Sequence, residues 1–164
     1  MVLILSPVHD REMARWSRSS YPMEACGLLI GRVEGDRAVA VRCEASPNTT
    51  DGDPRRRFSI APEILLNAQR RARAEALAII GVFHSHPDRP PAPSKTDLDQ
   101  AWPGLLYVIG RTDRDACGPL TAWRLNAPGH GFEEIPIVAA PVSAPDAPTP
   151  GSFVDDCTGA RRKQ

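Results

Sequence analysis

"LAIIGVFHSHPDRPPAPSKTD", residues 77–97, joins an apolar run to two histidines one residue apart, then a proline-rich connection, a serine and an aspartate. The apolar part has strand length and is β-branched in its middle, which reads as a buried strand. In a strand, side chains at i and i+2 share a face. His84 and His86 therefore project together at its end, and Ser85 points the other way. Two imidazoles on one face at a strand mouth can bind one metal through their ring nitrogens. A catalytic zinc typically takes three protein ligands and leaves a fourth position for water. The third must come from elsewhere. Asp97 is the candidate, three residues after Ser94 at the start of a short helix expected over Lys95 to Ala101.

Plainer readings stand beside this one. Ser94-Lys95-Thr96-Asp97 fits a helix capping box. Asp97 could be a solvated acid beside Asp99, and His-x-His pairs also occur in structural roles. Pro87, Pro90, Pro91 and Pro93 stiffen the connection that carries Asp97 back to the histidines; an ordinary rigid surface loop fits equally. His9 and His130 are isolated and read as surface residues.

Upstream of the strand, Ser6-Pro7 followed by Asp10 and Glu12 marks a helix start: a capping oxygen, a proline at the first position, and acids at the positive end. This helix is expected to run to about Ser19, with Met13 and Trp16 inward, and to end at Tyr21-Pro22. "ACGLLIGRVEGDRAVAVRCEAS" predicts a hairpin turning at Glu34-Gly35-Asp36. "NTTDGDPRRR" is a polar loop and "RFSIA" a short strand. Pro62-Glu63 opens a second helix to about Ala76, with Leu65, Ala68, Ala72 and Ala76 on one face. Six arginines between Arg55 and Arg73 make a basic patch, either a solvated face or a surface that docks a partner. Downstream, "LLYVIG", "LTAWRL" and "FEEIPIV" supply three more strands.

The expected fold class is α/β: one domain over residues 1–138, a mixed β-sheet flanked by helices. From Ala139 the composition turns to Ala, Pro, Ser and Asp, and residues 139–164 are expected to be a disordered tail. The 164 residues suit one domain with a real core, and 41% hydrophobic with 24% charged is ordinary for a globular protein. Twenty basic and twenty acidic residues cancel, so no overall charge draws the chain to nucleic acid or anionic lipid. "MVLIL" is too short for a signal sequence, no apolar run is of membrane-spanning length, and a cytoplasmic location is expected. Cys26, Cys43, Cys117 and Cys157 form no CxxC pair, so reduced, mostly buried thiols are expected rather than a disulfide framework.

His-Ser-His, seven residues, Ser, two residues, Asp resembles the signature of the JAMM, or MPN-plus, zinc metalloproteases. "YPMEACGLLIGR" supplies the upstream glutamate of that family in a Pro-x-Glu-x-Cys-Gly setting similar to its compact bacterial members. The resemblance covers the chain to about residue 138 and implies the cytidine-deaminase-like MPN fold. It also implies that one zinc ion is held by His84, His86 and Asp97. Glu24 matches the acid that activates water, and Ser94 the serine that steadies the oxyanion. Cys26 matches a packing residue. Family members cut beside the C-terminal glycine of ubiquitin or ubiquitin-like proteins. Between Asp97 and Leu105 there is no room for the long insertion that clamps ubiquitin in the eukaryotic enzymes. The compact form resembles relatives that process small ubiquitin-like sulfur carriers ending in Gly-Gly, and such a carrier is the expected substrate and partner. Its C-terminus is expected to lie extended along a strand edge near the zinc. Two other classes stay open: a metal-free MPN scaffold that binds partners, and a zinc hydrolase of small or cell-wall peptides.

Overall fold

Strand β4 (Ala78–Pro87) runs through the middle of an eight-stranded sheet in the computed structural model, which describes residues 1–127 and 129–140. Before it come β1 (Val2–Leu5), α1 (Pro7–Ser20), β2 (Cys26–Glu34), β3 (Arg37–Ser46) and α2 (Pro62–Ala74). After it come α3 (Lys95–Asp99), β5 (Leu106–Thr112), β6 (Cys117–Leu125), β7 (Phe132–Ile135) and β8 (Ile137–Ala139). The strand order is β7-β6-β5-β4-β2-β3-β1-β8. β4 pairs antiparallel with β2 and parallel with β5, so the sheet is mixed as expected.

The pleat sorts the core into two layers. Leu29, Phe83 and Val108 pack with Met13 of α1 on one face. Leu28, Ile30 and Val82 pack with Ala68 and Ala72 of α2 on the other. A register shift opposite Leu29/Ile30 leaves Ile80 as an extra residue in β4. This bulge turns Ile80 to the same face as Phe83, three residues on. Beyond the bulge strict alternation resumes, and it puts Val82, His84 and His86 on the α2 side. Gly31 sits at a second shift, between β2 and β3. A Cβ there would lie 1.9 Å from Val39 O. Gly31→Ala is therefore expected to cost about 3 kcal/mol as the ladder is forced apart, read as a fall in the denaturant midpoint.

Helix α1 begins at the predicted cap, with Ser6 Oγ accepting from Val8 N and Pro7 at the first position, and Met13 is fully buried. The hairpin turns at Gly35, whose φ of +63° needs no Cβ. Five expectations are corrected. "RFSIA" is not a strand: it joins no ladder, and Ser59 is instead bonded to the loop before it through Asn48 Oδ1 and Thr49. "FEEIPIV" is two strands, not one. Pro136 offers no N–H, so β7 ends on β6, and β8 pairs with β1 at the opposite edge. One residue separates these two edges, so the sheet curls until they meet. "MVLIL", given no element, forms β1 between β3 and β8. Helix α2 stops at Ala74, and Ala76 leaves it at φ +56°, while α3 stops at Asp99 rather than Ala101.

Cys26, Cys43 and Cys117 are free thiols. Burial pushes Cys26 to about 12, and its Sγ points at the Ser46 and Pro47 carbonyls, as suits a packing residue. His130 is exposed, but His9 is half-buried, a departure from the expected surface position. Of the expected tail, Ala139 closes β8 and Ala140 N donates to Leu5 O. Residues 141–164, Cys157 among them, lie outside the described residues. Among the described residues no helix is long and apolar enough to cross a membrane.

Candidate active site

The end of β4 delivers His84 and His86 into the interior, 0% and 2% exposed. Their Nε2 atoms stand 3.0 Å apart. Asp97, 8% exposed, closes the group: its Oδ1 is 3.3 Å from His84 Nε2 and its Oδ2 3.6 Å from His86 Nε2. The three residues together could hold a metal ion. Two ligand atoms on a tetrahedral zinc with bonds near 2.0–2.1 Å stand roughly 3.3 Å apart, so the spacing fits such an ion.

The donor chemistry fits as well. His86 Nδ1 is 2.8 Å from Pro90 O. A carbonyl only accepts, so the Nδ1 proton sits there and the Nε2 lone pair turns to the centre. Burial lowers the His84 pKa, which keeps that ring neutral. Its Nδ1 is buried without a hydrogen-bond partner, and Phe58 stacks on the ring with centroids 4.6 Å apart. Burial alone would raise Asp97, but the two histidines beside it and the Ser94 N–H outweigh that push and hold the carboxyl far below the usual range.

Capping box and cluster turn out to be one device. Asp97 N donates to Ser94 Oγ at 3.2 Å, and Ser94 N donates to Asp97 Oδ2 at 2.6 Å. The box locks the carboxylate while leaving Oδ1 toward His84. Ser94 Oγ accepts in this box, so its hydroxyl proton remains to be donated. The proline connection is tied down too. Pro90 O meets His86, and Pro91 O accepts from Thr121 Oγ1 of β6.

Glu24 precedes β2 and is 2% exposed. Burial pushes its carboxyl up to about 7, against the attraction of His86 and Arg89. Its backbone is held on three sides: Glu24 N donates to Pro54 O at 2.7 Å, Asn48 Nδ2 donates to Glu24 O at 3.2 Å, and Ala25 N donates to Ser85 Oγ at 2.8 Å. Ser85 thus faces away from the cluster, as alternation requires, yet fixes where Glu24 emerges. Arg89 donates from Nη2 to Glu24 Oε1.

Arg89, Asn48 and Phe58 were not singled out from sequence. All three act across long separations, and no local pattern marks them. The basic patch divides. Arg71 bonds Glu44 of β3, which also accepts from Arg42, whereas Arg55 and Arg56 border a cleft next to Glu24.

The model of prokaryotic homologs of the JAB domain matches residues 6–126. A desampylase of Haloferax volcanii is 30% identical over 117 residues, covering 71% of this chain and 78% of that protein. A desampylase of Pyrococcus furiosus is 32% identical, covering 73% and 79%. A Thermus thermophilus protein named "Probable TtuB-protein conjugate cleaving protease" is 34% identical, covering 56% and 58%. A solution structure of a protein from Desulfitobacterium hafniense superposes with a TM-score of 0.73 at 30% identity, covering 85% of this chain and 93% of that one. A second, from Salinibacter ruber, gives 0.64 at 32% identity, covering 91% and 95%.

Proposed function

This chain belongs to the prokaryotic JAB-domain family, the JAMM group its signature resembles, and from that premise we propose that it is a zinc metallopeptidase. The proposed reaction is cleavage after the C-terminal Gly-Gly of a ubiquitin-like sulfur-carrier protein. One observation carries the reading above all: a buried acid near neutrality, Glu24, shares a site with a buried His84-His86-Asp97 donor set. Nitrogen and carboxylate donors of this kind suit zinc.

His84, His86 and Asp97 would hold the zinc ion, which when bound would supply a lowered water pKa and a polarised substrate carbonyl. Glu24, whose carboxyl burial raises toward neutrality, takes the proton from the attacking water. It then gives that proton to the leaving nitrogen, so the amide C–N bond breaks to a carboxylic acid and an amine. Ser94 donates its hydroxyl proton to the oxyanion that develops on the carbonyl. Ser94→Ala is expected to keep the metal and lose about a hundredfold in kcat, with about 1 kcal/mol of stability lost with the cap. Loss of metal with the activity would mean instead that Ser94 acts only by holding Asp97.

An apolar groove of about 350 Å³ reaches Asp97, lined by Phe58, Ile60, Leu65, Val82, Trp102 and Tyr107. Ser59 spends its backbone bonds on the loop behind it. Its neighbours Phe58 and Ile60 make no main-chain hydrogen bond among the described residues. An incoming tail can pair there as an added strand. The Thermus relative's name, a protease that cleaves protein conjugates, supports a protein substrate over a cell-wall peptide. The test is to offer zinc-loaded protein a Gly-Gly-extended carrier beside short peptides. Cleavage of the carrier alone is expected, and no cleavage of it overturns the reading.

A further inference from the structure

A second cavity, about 830 Å³, borders the site from the Glu24 side and shares no lining residue with the apolar groove. Arg55, Arg56, Arg89 and Arg114 line it, with Asp53, Asp88 and Tyr21. Three of its polar side chains are already engaged within the cleft. Tyr21 Oη donates to Asp88 Oδ2 at 3.0 Å, and Asp53 Oδ1 accepts from Arg55 N. Arg89 reaches inward to Glu24. Arg55, Arg56 and Arg114 are exposed, and no carboxylate of the described residues lies within 4.0 Å of their guanidinium groups. The cleft therefore presents more positive charge than its own aspartates offset. It holds a fan of planar donors suited to a carboxylate.

We propose that this cleft receives the leaving group, and that it selects a short C-terminal extension bearing a free α-carboxylate over a lysine-linked conjugate. The inference rests on the peptidase reading above and goes beyond it. Glu24 returns its proton to the leaving nitrogen, so that nitrogen departs on the Glu24 side, where Arg89 opens into the cleft. At about 3.3–3.6 Å per residue, an extension of one or two residues places its carboxylate within about 7 Å of the scissile nitrogen. A lysine leaving group brings the opposite charge: it departs as an alkylammonium, with no carboxylate beside it, into a cluster of guanidinium groups that repels it. The acyl side stays with the apolar groove, so the two cavities read the two halves of one substrate by different chemistry.

The experiment uses the full zinc-loaded chain and one Gly-Gly carrier extended by Ala-Ala, made as the free acid and as the C-terminal amide. Wild type is expected to prefer the acid by about tenfold in kcat/KM, carried in KM and shrinking at high salt, as charge steering does. In Arg55→Ala/Arg56→Ala/Arg114→Ala the ratio of acid to amide is expected to fall to about one. Arg114→Glu alone, an exposed single change, is expected to reduce it as well. Equal cleavage of acid and amide by wild type overturns the inference and leaves the peptidase reading standing. An acid preference that survives in both variants overturns it too. Cleavage of neither substrate overturns the peptidase reading, and this inference with it.

Discussion

Glu24→Gln is expected to keep its zinc and lose about a thousandfold in kcat, within the range that a positioned acid or base contributes. Gln has the shape of Glu, and its amide oxygen can still accept from Arg89 Nη2. It is not one of the three grouped donors, so the metal has no reason to leave. What is lost is the ability to take a proton and return it. The pH dependence follows from the same carboxyl. Wild-type activity should rise with pH as Glu24 ionises, with an acid limb below the value of about 7 that the carboxyl has without a metal, because a bound cation adds its attraction.

The stability of the metal-free protein should move the opposite way. Glu24 is raised to about 7 in the folded chain from an ordinary 4.5. Between those values the folded state keeps a proton that the unfolded state has released. The Glu24 contribution to stability therefore falls as pH rises through that window and levels off above it, whereas the lowered His84 contributes the opposite slope below 6.5. Glu24→Gln does not titrate. Its melting temperature should match or trail that of wild type at pH 4.5 and gain on it steadily to pH 7. A gap independent of pH would show that Glu24 is not held near neutrality. Full turnover in the variant would remove it from the reaction.

Sequence alone carried the parts of this molecule that are local. Strand alternation placed His84 and His86 on one face because the bulge in β4 falls at Ile80, upstream of both. The Ser94-to-Asp97 cap was legible because it spans three residues. What escaped depends on distant partners. Arg89 and Glu24 are 65 residues apart, and nothing near either position predicts the other. "RFSIA" has the composition of a strand, but Asn48 and Thr49 take up the bonds of Ser59 and leave its outer edge without a strand. "MVLIL" looked like a bare apolar stub because its two neighbours, β3 and β8, come from opposite ends of the domain. In each case local composition was read correctly, and the partner decided the outcome.

Purified wild-type protein should carry one zinc per chain by elemental analysis, and His86→Ala should carry none. Among the described residues the cluster has three protein donors. Losing one leaves two, too few to hold a catalytic zinc against solvent. His86 is a sharper probe than Asp97, because Asp97→Ala would also release Ser94 N from the capping box. Chelation of wild type should mimic the substitution. Metal bound only to the folded state adds about 2.7 kcal/mol at a hundredfold excess over Kd, so its removal should lower the melting temperature by several degrees. The same chelator should leave His86→Ala where it was. The alternative is also physically coherent. The His84, His86 and Asp97 groups already contact one another at 3.0–3.6 Å, so a proton shared among them could satisfy the cluster without any ion. Wild type that takes up no zinc when supplied, and melts identically with and without chelator, would make the histidine pair a hydrogen-bonded strut. The chain would then be a scaffold of its family rather than an enzyme.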